Sequence, residues 1–174
     1  MKVSEKQIAE WIEEYLNSTC STIVLNRELS HMMIHRLQCD IKDQFGVNVS
    51  KRWLDFINQN LSAFEDCKDF ESIYKQVEEF AKRFRGIGKL TIYDTATCIG
   101  CPKKLYPEII YIHCGTAEGA KALVNIEDSI AKKEKFVEVC KAFEKLEPIQ
   151  IEEFLCIYKK RLKGETASIT NCGC

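Results

Sequence analysis

The stretch FRGIGKLTIYDTATCIGC, Phe84 to Cys101, sets Gly86 and Gly88 one residue apart, follows them with Lys89 and then turns helical. Glycines at that spacing remove side chains where a backbone must approach a ligand or another helix closely, and they accept positive φ. The amides of Gly88, Lys89 and Leu90 then point outward at a helix N-terminus, where unpaired N–H groups and the helix dipole favour a phosphate. Two other phosphate loops are excluded. A Walker loop needs glycine where Arg83 stands and Ser or Thr where Leu90 stands, and the dinucleotide fingerprint needs glycine at Thr91 and a preceding strand.

Charge gathers around this motif. From Lys82 to Lys104 the basic residues are Lys82, Arg83, Arg85, Lys89, Lys103 and Lys104, and the only acidic residue is Asp94, a local charge of +5. The whole chain carries −1, so the remainder sums to −6. A chain of that balance does not coat nucleic acid with basic charge. It can hold a phosphate backbone through a local patch, without reading sequence, because phosphates carry no base identity.

The order helix, Gly86-Ile87-Gly88, helix, continued by Lys89, Leu90 and Thr91, resembles the helix-hairpin-helix motif of DNA-repair proteins, with Ile87 as the aliphatic plug between the helices. The resemblance implies an all-α, multi-helix fold similar to that of the helix-hairpin-helix DNA glycosylases, with the motif at about residues 75–101. It implies DNA, or alternatively RNA, as partner, held by Arg85, Gly86, Gly88, Lys89, Leu90, Thr91, Lys103 and Lys104. It does not carry over the glycosylase chemistry. Leu90 occupies the place of the catalytic lysine, and the essential aspartate is replaced by Glu108 or, aligned on the apolar run Ile109–Ile112, by His113. Cleaving a flipped nucleotide's glycosidic bond needs a carboxylate beside the sugar. Glu108 and His113 are therefore fallback catalytic candidates only. Trp53, Tyr106 and Tyr111 could stack on a base, though aromatics at these spacings belong more often to a core.

His113, Gly115, Thr116 and Lys121 form a second candidate anion site, in which Thr116 would otherwise simply cap a helix. Cys98, Cys101, His113 and Cys114 have the residue types of a zinc site. Against it, Cys98 falls inside a helix and adjacent residues rarely both ligate. A redox Cys98-x-x-Cys101 pair would sit at a helix end whose dipole opposes a thiolate. His31 and His35 share a helix face without a third ligand in register. Cys156, Cys172 and Cys174 are too few and too spread for an iron–sulfur cluster. No cofactor is expected.

The elements that must position these residues are helical by their apolar spacing. Ser4 and Gln7 form a capping box ahead of Ile8, Trp11, Ile12, Tyr15 and Leu16. Leu29 to Ile41 forms a second helix stopped before Gly46, and Ser50 caps a third with Trp53, Phe56, Ile57, Leu61 and Phe64 on its buried stripe. Phe70, Ile73, Val77, Phe80 and Phe84 lead into the glycine motif. After it comes EIIYIHC, the one run with strand character, then helices from Thr116, over Phe136–Leu146, and from Pro148 to about Lys163, where Gly164 ends the last.

At 174 residues, 45% apolar and 29% charged, the chain is expected to form a single helical domain over residues 1–165 with seven or eight helices, and a flexible cysteine-containing tail over 166–174. The N-terminus shows no apolar leader and no run spans a membrane, so a cytoplasmic protein is expected, with most of the ten cysteines reduced and buried. The alternatives to nucleic-acid binding are a structural or protein-interaction domain with an unspecified protein partner, and a base-excision enzyme.

Overall fold

A computed structural model describes residues 3–18 and 49–166. They are mostly helical: α1 (Glu5–Leu16), α2 (Val49–Gln59), α3 (Phe70–Ala81), α4 (Lys89–Gly100), α5 (Cys114–Leu123), α6 (Glu134–Val137) and α7 (Pro148–Leu162), with short 3-10 turns between them. The only sheet among these residues has two antiparallel two-residue strands, β1 (Ile110–Tyr111) and β2 (Ile130–Ala131), with Ile110 opposite Ala131 and Tyr111 opposite Ile130. The fold is therefore all-α in class. The chain groups into two compact units, Met1–Leu25 with Pro107–Cys174, and Asn26–Tyr106.

In the first unit α1 begins at the capping box expected for it. The Ser4 hydroxyl accepts the Gln7 amide at 3.3 Å, and the Gln7 side chain accepts the Ser4 amide at 3.0 Å. Ile8, Ile12 and Tyr15 are thereby turned into a core with Phe136, Phe143, Phe154 and Leu155, all essentially without solvent exposure. Fully burying each large apolar side chain contributes about 1.5–3 kcal/mol. The tightest contact is between α5 and α7. A Cβ on Gly119 would stand 2.1 Å from the Leu155 carbonyl oxygen, and one on Gly115 would stand 2.7 Å from Cys156 Sγ. Two glycines one helical turn apart let the two backbones meet where any larger residue would hold them apart.

Two expectations need correction here. The apolar spacing from Phe136 to Leu146 does not mark one helix. It is α6, then an extended Cys140 (φ −154°, ψ 120°), then a 3-10 turn over Lys141–Lys145. Cys140, Phe143 and Leu146 are all buried despite the break, so core burial keeps the spacing without requiring an unbroken helix. Thr116 is not the N-cap of its helix; His113 is, and Thr116 lies inside α5. The strand-like run is strand for two residues, and its partner β2 carried no alternation to announce it. The last helix does start at Pro148, capped by Glu147, and Gly164 follows it with φ +81°.

In the second unit α2, α3 and α4 enclose an aromatic core of Trp53, Phe56, Phe64, Phe70, Phe80 and Phe84. Leu61, expected on the buried stripe of α2, instead opens a 3-10 turn and is 49% exposed. Ser50 lies within α2 rather than ahead of it. The helix expected over Leu29–Ile41, Gly46, His31 and His35, and the tail cysteines 172 and 174 lie outside the described residues.

Candidate nucleic-acid interface

The hairpin is formed by α3, the loop 82–88 and α4, all in the second unit. Asp69 caps α3 by accepting the Ser72 amide at 2.7 Å, which holds its carboxyl below the usual range. Past Ala81 the chain turns back on itself: the Arg83 amide donates to the Phe80 carbonyl and the Phe84 amide to the Ala81 carbonyl. Gly86 takes φ +97°, a region that costs an L side chain strain, and Gly88 then adopts the extended conformation of an N-cap (φ −100°, ψ 179°). The double glycine thus does what its spacing implies. Gly86 supplies the turn, and Gly88 starts α4 with no side chain of its own.

Unlike Ser4, Asp69 and Glu147, which cap α1, α3 and α7, Gly88 gives α4 no side-chain cap. Nothing lies within 4 Å of the point where a Cβ would stand at either Gly86 or Gly88, and Arg85, Gly86, Gly88 and Lys89 are all exposed. The first intrahelical bond is Ile92 to the Gly88 carbonyl at 3.0 Å, so the amides of Lys89, Leu90 and Thr91 have no intrahelical acceptor. Ile87, Leu90 and Thr91 are half-buried.

The position of α4 is set from inside. The indole Nε1 of buried Trp53 donates to Thr95 Oγ1 at 3.0 Å, and Thr95 donates its hydroxyl proton to the Thr91 carbonyl at 2.7 Å. That chain runs from α2 to the first turn of α4 and fixes the end that carries the open amides.

The cations divide into groups. Lys82 pairs with Glu79 at 2.5 Å. The Arg83 guanidinium sits over the rings of Phe56 and Phe80, its Cζ 5.7 and 5.8 Å from their centroids. Lys103 donates to the carbonyls of Phe64 and Glu65. Lys103 and Lys104 also follow the far end of α4, whose 12 residues span about 18 Å. The hairpin mouth therefore keeps Arg85 and Lys89. Lys104, exposed and left-handed at φ 58°, stands a helix length away.

The fallback catalytic candidates and the second anion site belong to the first unit and form a different arrangement. Glu108 is exposed in the turn before β1. His113 is buried and sits 3.4 Å, Nε2 to Oε1, from Glu152 of α7, and Thr116 donates to the same oxygen at 2.5 Å. Burial depresses the imidazole to a pKa of about 4, so it is neutral at pH 7. The protein's own carboxylate thus occupies the first turn of α5, and Gly115 is covered by Cys156 and Lys159. Of the second anion site only Lys121 is exposed. Glu152, the partner of His113, carried no signal in the sequence; thirty-nine residues separate them.

No group of three or more His, Cys, Asp or Glu placed to hold a metal occurs among the described residues. Burial, then the charges of Asp94 and Cys101, raises the Cys98 thiol far above its ordinary value, which keeps it protonated. Cys67, Cys98, Cys101, Cys114 and Cys140 are free thiols, whereas Cys156 is disulfide-bonded. No helix among the described residues is long and apolar enough to cross a membrane. Comparison with protein-family profiles, curated protein sequences and solved structures returned no match.

Proposed function

We propose that the Gly86–Thr91 hairpin grips the backbone of a nucleic acid, DNA or RNA, independently of sequence and without catalysis. The observation that carries this reading is the uncapped, open N-terminus of α4 flanked by exposed Arg85 and Lys89. A hairpin used only for packing needs no exposed, uncapped helix start, whereas here no side chain caps α4 and Gly88 and Lys89 are exposed. Two cations and one helix terminus make a modest grip. On duplex DNA, neutralising about two phosphates gives a salt slope of about −2 in log affinity against log salt concentration.

The test is fluorescence anisotropy of a labelled short duplex at several salt concentrations, for the wild-type protein and Lys89→Glu. The reading requires weak, salt-dependent, sequence-indifferent binding that the substitution reduces while circular dichroism stays unchanged. Absence of binding at low salt, to the duplex and to a labelled single strand alike, would return the glycines to an architectural role.

A further inference from the structure

Arg83 was grouped by sequence with the phosphate-binding cations, but its setting differs from theirs. Its guanidinium lies over two aromatic rings, Phe56 and Phe80, and among the described residues it makes no ion pair or hydrogen bond. The residue is nevertheless exposed. Beneath it the rings are braced. Phe56 packs edge-on to Phe80 at 5.1 Å, and half-buried Phe84 stands 5.1 Å from Phe56 and 5.3 Å from Trp53. The backbone bonds from Arg83 and Phe84 to Phe80 and Ala81 fix the turn that carries both residues.

We propose that Arg83, seated on Phe56 and Phe80 beside Phe84, is a stacking platform for an unpaired nucleobase, so that the nucleic acid held by the hairpin is single-stranded. The inference rests on the hairpin reading and names its substrate class. A guanidinium plane is both cationic and flat. Held near two rings whose planes stand at 84° to each other, and exposed to solvent, it can stack on a base, as arginine and aromatic side chains do in proteins that bind single strands. In a duplex each base face is covered by its neighbours, so a platform of this kind is useful only to a strand without a partner. Arg83 is five residues from Gly88, at most about 18 Å of chain, so base and phosphate would belong to the same short stretch of strand. The charge is complementary as well, since Arg83 and Arg85 lie in the loop and Lys89 opens α4 directly after it.

The experiment measures anisotropy of three labelled probes, an eight-nucleotide thymidine strand, an abasic strand of the same length and a short duplex. The proteins are the wild type, Arg83→Lys and Lys89→Glu, with thermal melts followed by circular dichroism. Arg83→Lys keeps the charge and the aliphatic stem while removing the plane. The thymidine strand should bind the wild type at least about fivefold more tightly than the abasic strand, the range expected for stacking one base. Arg83→Lys should abolish that difference while leaving abasic-strand affinity and the salt slope unchanged, and Lys89→Glu should weaken all three probes. Equal binding of thymidine and abasic strands, or an equal loss on both with Arg83→Lys, overturns the platform alone and leaves the backbone grip standing. Failure of all three probes to bind overturns both.

Discussion

Trp53 and Thr95 are joined by a buried hydrogen bond of 3.0 Å from the indole nitrogen to the threonine hydroxyl, and through it α2 holds the helix that carries the open amides. The oxygen uses both of its roles, accepting from Trp53 and donating to the Thr91 carbonyl. Thr95→Val preserves shape but leaves the indole N–H without its acceptor. The expected cost is about 1–3 kcal/mol of unfolding free energy, measured by urea denaturation. If the variant matches the wild type, the bond is not holding α4.

Gly88 offers a sharper separation of stability from function. An aspartate there would cap the amides of α4 and place negative charge at the positive end of its dipole, raising stability by a few tenths of a kcal/mol. The same carboxylate would fill the phosphate position. Gly88→Asp is therefore expected to melt slightly higher and to lose binding. Gly86→Ala, at φ +97°, should instead lose about 1–3 kcal/mol from backbone strain.

Gly119→Ala tests the close approach of α5 to α7. The new Cβ would meet the Leu155 carbonyl, backbone rather than a movable side chain, so the helices must separate. A loss of about 1–3 kcal/mol is expected in chemical denaturation. Tolerance without loss would mean that the two helices are not held at this spacing.

His113 gives the stability a pH dependence of definite sign. Its pKa is about 4 folded against 6.5 for the free side chain, so between those values the unfolded chain binds the extra proton. The contribution of the neutral, buried imidazole is intact above pH 6.5. It is lost progressively toward pH 4, by up to about 3 kcal/mol, and changes no further below that. A backbone hydrogen bond at His113 opposes this in part, burial remaining the larger cause. The depressed carboxyls of Asp69 and Glu118 lose their contributions only at lower pH, as each is protonated. Denaturation at pH 7 and pH 4.5 should show the drop, and His113→Gln should flatten it.

These relationships were unequally legible in the sequence. Local rules carried far: the Ser4–Gln7 box, the Gly86 turn, Pro148 and Gly164 all act within a few residues of themselves, so spacing alone reveals them. The break at Cys140 was not legible, because Phe136, Cys140 and Phe143 keep helical spacing although Cys140 itself is extended. Charge counting grouped Lys82, Arg83 and Lys103 with Arg85 and Lys89, but Glu79, two rings and two carbonyls occupy the first three. Those partners come from other turns and other helices, and composition cannot see them. The pairing of His113 and Thr116 with Glu152 was hidden for the same reason.

The most direct test of the central claim is a titration of the isotope-labelled protein with a short single-stranded oligonucleotide and with a duplex, followed by amide nitrogen–proton NMR. The account predicts that the largest shifts fall on Gly88, Lys89, Leu90 and Thr91, with Arg83 and Arg85 beside them, and that raising the salt reverses the shifts. Shifts confined to other surfaces, with these amides unmoved at saturation, would contradict it.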